Sequence, residues 1–363
     1  MRRPALLLCV LVGCSQPPGR PAAPREPAFA EGREPTIRVA LLSLGAWEHV
    51  DVTGKGGLAV RERGAQPRAT TVAYRVSRTS PPVDLVPAEG VFTVAGRTYA
   101  GDLLWDGTRL LNRVSLENYT LGVLRGELPL KRIPPAAAGA QAIAVRSYTL
   151  SYVAAGQDLD DTTNFQCYAG MRYAPDDAHL REGVRGTRGM YLSVDRRPLR
   201  AYYHSTCGGH TTDVPTGLDR EPSPAMRGVS CPYCQGARYF RWSTKLDAAP
   251  VLKAAALEGP LQRVDVVEKD AGGRARLVRV TAGGHEKVMR ASAFRLSVGP
   301  SALRSTYLLG IAMESGAVKI EGGGWGHGVG LCQCGAIGLA DLGKTAQEIA
   351  AYYYPGAALR RAY

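Results

Sequence analysis

The chain has 363 residues and a formal net charge of +13, or +11 without Arg2 and Arg3. That length accommodates one large domain, or a domain with a smaller β-rich lobe. Its Lys and Arg residues are scattered, with neither a basic helix nor an aromatic stacking platform, which argues against nucleic acid and leaves other polyanions as counterparts.

Arg2 and Arg3, followed by the apolar run 6–12, read as an export signal over residues 1–13. Leu11-Val12-Gly13-Cys14 resembles a bacterial lipobox, so the expected mature terminus is a lipid-modified Cys14. Two or three acyl chains on one cysteine hold a protein stably where a single chain does not. The run is far too short to span a bilayer if it stays uncleaved. The expected location is the cell envelope, anchored to the outer membrane or to the outer face of the cytoplasmic membrane. Residues 14–35 are rich in Pro, Ala and Arg and cannot bury a core, so they read as an extended tether. No later segment is apolar enough for a membrane helix.

Residues 36–111 alternate short β-prone runs with turns, at 37–42, 70–76 and 91–99, and form a β-rich N-terminal part. Residues 112–356 form the main domain. A first helix is expected over 115–124 with Ser115 as N-cap, before Pro129, Pro134 and Pro135 interrupt regular structure. The strongest helix spans 136–155 and ends at Gly156. A helix over 176–186 and a hairpin over 190–203, turning near Arg196-Arg197-Pro198, follow. Residues 211–240 read as loop, 246–258 as helix and 274–280 as a strand with a partner after it. A Gly-rich strand-turn then leads to helices starting at Ala336 and Ala346. Strands pair locally and helices are few, so the fold class is α+β: a mixed β-rich domain with a few packed helices.

Glu127 stands in a Gly/Pro-bounded turn just before the Ala-rich helix, a setting in which a carboxyl group can serve as general acid or base. Glu117 is its nearest competitor but falls inside the first helix. Gln141 and Tyr148, seven apart, share a face of the 136–155 helix, and Arg146 points elsewhere. Cys231-Pro232-Tyr233-Cys234 is a Cys-x-x-Cys pair, and His204, Cys207 and His210 lie within seven residues upstream. Four of these five suffice for a closed, structural zinc site. A redox pair, a disulfide from Cys207 and a Cys-His nucleophile are the alternatives. Cys332 and Cys334, separated by one residue, cannot bridge each other, though either could reach Cys167.

Four segments together resemble the stage II sporulation protein D (SpoIID) family. They are Glu127-Leu128-Pro129 with Ala140-Gln141-Ala142-Ile143-Ala144-Val145-Arg146-Ser147-Tyr148; the run from Tyr203 through Ser205-Thr206-Cys207 to Thr211; Gly324-Trp325-Gly326-His327-Gly328-Val329-Gly330; and Tyr353-Tyr354-Pro355-Gly356. The family includes lytic transglycosylases of peptidoglycan and enhancers of cell-wall amidases. The resemblance implies Glu127 as the single acid/base and a groove between the 136–155 helix and the Gly-rich turns. Gln141, Arg146, Tyr148, Trp325 and His327 would line that groove, Trp325 by stacking on a sugar. It also favours Cys207, Cys231 and Cys234 with His204, ahead of His210, as zinc ligands. The implied partners are peptidoglycan glycan strands, from which an amidase has removed the stem peptides, and possible association with such an amidase. A non-catalytic enhancer or a wall-binding module is the alternative. Where the family carries Ser or Thr and an aromatic residue after Gly-Val-Gly, this chain has Cys332 and Cys334.

Overall fold

The computed structural model describes residues 33–62, 68–128, 133–163, 165–172, 177–218 and 220–363. The export signal, Cys14 and all but the last three residues of the tether lie outside them. No helix among the described residues is long and apolar enough to cross a membrane. The architecture is α+β, in two compact units. One holds the described residues up to Arg200 together with Leu359–Tyr363; the other holds Ala201–Ala358.

The first unit is built on a nine-stranded sheet: β1 (Thr36–Ala40), β2 (His49–Glu62), β3 (Arg68–Ser77), β4 (Val83–Pro87), β5 (Val91–Val94), β6 (Arg97–Ala100), β7 (Asp102–Trp105), β8 (Leu110–Ser115) and β9 (Leu159–Asp160). Their order is β6-β5-β2-β4-β7-β8-β1-β9, with β3 on β2. Alternating burial along β4, β5 and β7 gives the sheet one apolar face. The run expected as one strand over 91–99 is a hairpin, because Ala95 and Gly96 both take positive φ, 49° and 72°. Such mirror-image turns match the strand twist, and an alanine at the first position gives no warning of one.

Helix α1 (Leu116–Glu127) follows β8, and its N-cap Ser115 accepts from the Asn118 N–H, as expected. It runs three residues past the expected end, so Glu127 is its last residue and not part of a turn. Helix α2 (Pro135–Val153) starts with proline at its first turn, where the missing N–H costs nothing. It is buried on all sides from Ala137 to Tyr152, so its face spacing does not identify a surface. Helix α3 (Ala178–Gly186) packs on α2. β10 (Met190–Val194) and β11 (Arg197–Pro198) make the expected hairpin, with the turn one residue earlier at Asp195 and Arg196. The C-terminal strand Ala358–Arg361 lines up on β10.

The second unit begins with β12 (Tyr203–His204). The segment expected as loop contains a short helix, α4 (Val214–Leu218), and tight turns at Pro224–Met226 and Pro232–Cys234. Then come β13 (Trp242–Leu246), α5 (Ala248–Ala255), β14 (Leu261–Lys269), β15 (Ala275–Ala282), β16 (His285–Arg290), α6 (Ala291–Val298), β17 (Leu308–Glu314) and β18 (Ala317–Gly322). β14-β15-β16 and β13-β18-β17 form two three-stranded sheets, and their apolar faces share a core with α5 and α6 through Val251, Val278, Val280, Phe294, Val318 and Ile320. β19 (Leu331–Cys332) pairs parallel with β12, Tyr203 opposite Leu331 and His204 opposite Cys332. Helices α7 (Gln333–Asp341) and α8 (Ala346–Tyr353) close the unit, α8 with a Thr345/Glu348 capping box.

Candidate active site and thiol cluster

Glu127 sits at the carbonyl end of α1, where the helix dipole works against a negative charge. Against that, the Cys167 N–H donates to Glu127 Oε1 at 2.8 Å, and a main-chain donor favours the ionised carboxylate. The residues around Cys167 form a strap laid along α1. Ala169 N–H donates to Gly122 O at 3.0 Å, and Arg125 Nη1 to Gly170 O at 2.8 Å. Gln166 Oε1 accepts from Tyr119 Oη and Thr149 Oγ1, and Tyr168 Oη donates to Asn112.

Two glycines one turn apart permit this approach. A Cβ on Gly122 would stand 2.3 Å from the Tyr168 ring, and one on Gly126 would stand 2.1 Å from Cys167 O. Arg125 is buried against Asp177, with Nε to Oδ2 at 2.7 Å, and Arg181 reaches the other oxygen of Asp177. A buried pair of this kind fixes geometry more than it adds stability.

The helix residues expected on a groove wall have other surroundings. Arg146 lies in the interior of the first unit. It is wholly buried and pairs with Glu117 through Nε–Oε1 at 3.0 Å and Nη2–Oε2 at 2.6 Å. It also donates to Val184 O and Thr187 Oγ1. Glu117, the competitor for the catalytic role, is thereby engaged, and it accepts from the Gly189 N–H and the Tyr363 hydroxyl as well. Tyr148 is buried with its hydroxyl 3.3 Å from that of Tyr152. Gln141 is 1% exposed, and neither of its amide atoms has a hydrogen-bond partner among the described residues.

In the second unit the sulfurs of Cys207, Cys231, Cys234 and Cys332 lie within 4.8 Å of one another, all buried. Three of these are expected ligands. The fourth sulfur of the group is that of Cys332, and neither histidine belongs to it. His204 is buried with Nδ1 against Val329 O at 3.1 Å. Burial holds it well below the ordinary imidazole range. His210 turns its Nδ1 to Thr211 O at 2.6 Å. The β12–β19 pairing brings Cys332 in from 125 residues away, which no local spacing reveals. Cys207 and Cys332 with the one Cys-x-x-Cys pair make up the four buried sulfurs.

The surroundings suit thiolate ligands. The N–H groups of Cys207 and Gly335 point at Cys332 Sγ, and the Gly209 N–H points at Cys207 Sγ, all at 3.2–3.3 Å. The Tyr353 hydroxyl lies 3.1 Å from Cys231 Sγ. Four sulfurs with such second-layer donors fit a tetrahedral soft-metal site with no open position. Cys334 lies outside the four-sulfur cluster and accepts from Thr206 Oγ1.

Trp325 lies in the interior of the second unit. It is 9% exposed and packs edge-on to Tyr239, centroids 4.4 Å apart. Its backbone bridges Thr206 on both sides. His327 accepts from the Val329 N–H at 3.0 Å. Burial, with Arg295 nearby, pushes it down to about 3, so it is neutral at physiological pH.

Residues 105–193, from β7 through β10 and including Glu127 and α2, match the family model described as stage II sporulation protein. The chain is 29% identical to an uncharacterized protein of Brachyspira hyodysenteriae over 281 residues, 73% of each chain. It is 27% identical to the stage II sporulation protein D of Bacillus amyloliquefaciens, over 68% of this chain and 74% of that one. It is 24% identical to the amidase enhancer of Bacillus subtilis, over 66% of this chain and 40% of that one.

Proposed function

Because this chain carries the domain of the stage II sporulation protein D family, we propose that it is an exported cell-wall protein, anchored through Cys14, that cleaves peptidoglycan glycan strands as a lytic transglycosylase. The observation that carries this reading is the placement of Glu127. It ends a helix, and its carboxyl is oriented through Oε1 by the Cys167 N–H, a donor that positions the group without exchanging a proton. Among the described residues of that unit the buried carboxylates are tied elsewhere: Asp177 to Arg125, Asp161 to Ser43 and Asp160 to Thr162.

One carboxyl group suffices for this reaction. Glu127 in its acid form gives its proton to the glycosidic oxygen as the bond to C1 breaks. The resulting carboxylate takes the proton of the sugar's own C6 hydroxyl, whose oxygen closes on C1 as a 1,6-anhydro ring. No water is consumed, whereas hydrolysis requires a second carboxylate to manage it. In the same proposal Cys207, Cys231, Cys234 and Cys332 hold a structural zinc ion, which braces the chain around β12 and β19 and takes no part in the reaction.

The test is mass spectrometry of products from amidase-denuded strands. The expected result is anhydro-muramic ends with the parent protein and none with Glu127→Gln, whose amide oxygen can still accept from Cys167. Anhydro ends from the Gln variant, or reducing ends from the parent, would end the assignment. The likeness to an amidase enhancer favours a second reading: a protein that cleaves nothing and speeds an amidase. It predicts no products from the chain alone and faster digestion when an amidase is added.

A further inference from the structure

In the second unit, two free strand edges border one cavity. β17 ends the β13-β18-β17 sheet and β14 ends the β14-β15-β16 sheet, and among the described residues each pairs on one side only. The cavity holds about 320 Å³, lined from β14 by Val264, Val266 and Lys269 and from β17 by Leu309, Ile311 and Met313. Its lining is continuous with the interior, since Val264 belongs to the shared core and Val266 and Ile311 pack against it. Leu309 and Met313 are nevertheless 48% and 36% exposed. A free edge carrying large apolar side chains is one that proteins ordinarily cover.

The two edges differ. The register of β14 on β15 is broken in three places, and such irregularities blunt an edge against further pairing. β17 has one break, at Leu309, and from Gly310 to Glu314 its register on β18 is continuous. Ser315 and Gly316 take positive φ, 50° and 79°, the two-residue turn that closes a hairpin on a hydrogen-bonded pair, here Glu314 with Ala317. Bonding to β18 alternates from there. Ala312 and Gly310 therefore bond to β18, and the N–H and C=O groups of Ile311 and Met313 point away from it. The side chains of Ile311 and Met313 share the face of Ile320 and Val318, which are core residues. Glu321, beside Gly310, is on the opposite face.

Charge narrows what such an edge accepts. One carboxylate lines the cavity, Asp265, and it is shared between Arg263 and Arg279. Glu268 pairs with Arg276 and Glu314 with Lys319. Lys269 is left as a cation with no ion-pair partner among the described residues. We infer that the free edge of β17 takes an extended acidic segment of a partner protein as an added strand. Its main chain bonds to Ile311 and Met313, an apolar side chain enters the cavity, and a carboxylate meets Lys269. In strand addition the main-chain bonds supply affinity, and pockets for alternate side chains supply specificity. The inference depends neither on Glu127 nor on the glycan-strand reading above.

The experiment measures fluorescence anisotropy of a short labelled peptide of alternating Val and Glu with the full chain in detergent. Two further peptides serve as comparison, one with N-methyl groups on alternate residues and one with Lys in place of Glu. The parent should bind the first peptide about tenfold or more tightly than either of the others, since N-methylation removes the main-chain donors. Lys269→Glu should reverse the preference between the Glu and Lys peptides, and Lys253→Glu, at an exposed position on α5, should keep it. Both changes are at exposed residues, and the thermal midpoint checks that each variant is folded. Equal binding of the plain and N-methylated peptides, or an unchanged preference for Glu in Lys269→Glu, would overturn the inference. So would displacement of the peptide by peptidoglycan strands that carry stem peptides, which would make the wall itself the ligand. Dimers in sedimentation that Met313→Ser dissociates would overturn it as well, by giving the edge to a second copy of the chain.

Discussion

Gly126→Ala tests whether the strap positions Glu127. On helix propensity alone this change is favourable by about 1 kcal/mol. The structure predicts the opposite sign. The added Cβ would stand 2.1 Å from Cys167 O and 3.1 Å from Cys167 Sγ. A carbon–oxygen contact needs about 3.3 Å or more, so the strap must retreat by roughly 1 Å. The N–H that retreats with it is the one that holds Glu127 Oε1 at 2.8 Å, and such a shift takes the pair out of hydrogen-bond range. Overpacking costs about 1–3 kcal/mol and the charge-assisted bond about 1.5–3 kcal/mol. Less the propensity gain, the net loss is roughly 1.5–5 kcal/mol. Urea unfolding reads the stability, and the rate of anhydro-end formation reads the position of the carboxyl, with a fall of about tenfold or more expected. Gly186→Ala on α3 is the control, since its Cβ meets nothing within 4 Å. Equal stability and equal rates in the two variants would refute the strap argument.

Three further outcomes follow from the geometry. Cys332→Ser should lower the zinc content measured by elemental analysis after dialysis, whereas His210→Ala should leave it unchanged; the reverse would restore the histidine to the ligand set. Arg146→Met strands Glu117 in a half-buried site and should cost about 3–5 kcal/mol in urea unfolding, with the Arg146→Met/Glu117→Leu pair costing less than the single change. His327 has a folded-state value of about 3, below its ordinary 6.5 or so. Its contribution to stability is therefore full above about pH 6.5 and is lost as pH falls toward 3. The drop in stability between about pH 7.5 and about pH 5 should be smaller in His327→Asn than in the parent, and an identical drop would show that His327 protonates freely in the fold.

What the sequence made legible was local. Ser115 announces the start of α1, Gly156 follows the end of α2, and α8 starts at Ala346 as expected. The end of α1 was hidden because Gly126-Glu127-Leu128-Pro129 has the composition of a turn. The helix continues to Glu127 where the strap, some forty residues later, packs on its glycine stripe. Arg146 illustrates a different limit. Helical spacing states which residues share a face, but α2 is enclosed on every side, so a face is no guide to a surface. Cys207, Cys231 and Cys234 were legible by spacing, while Cys332 depends on a parallel strand pair that no short-range pattern encodes.

Charge in the second unit links its two unusual features. A zinc ion held by four thiolates would carry two net negative charges in a buried place, and a low-dielectric interior tolerates that only with counter-charge and oriented donors. Both are present: Arg274 lies against Cys207 O, and three main-chain N–H groups point at the sulfurs. Metal and Arg274 would each make the other tolerable. Arg295 is also buried, and burial with the like charge of Arg274 pushes it down to about 10. Both guanidinium groups keep buried nitrogens with no hydrogen-bond partner among the described residues, Nε and Nη1 of Arg274 and Nη2 of Arg295, so burial disfavours the charge of each.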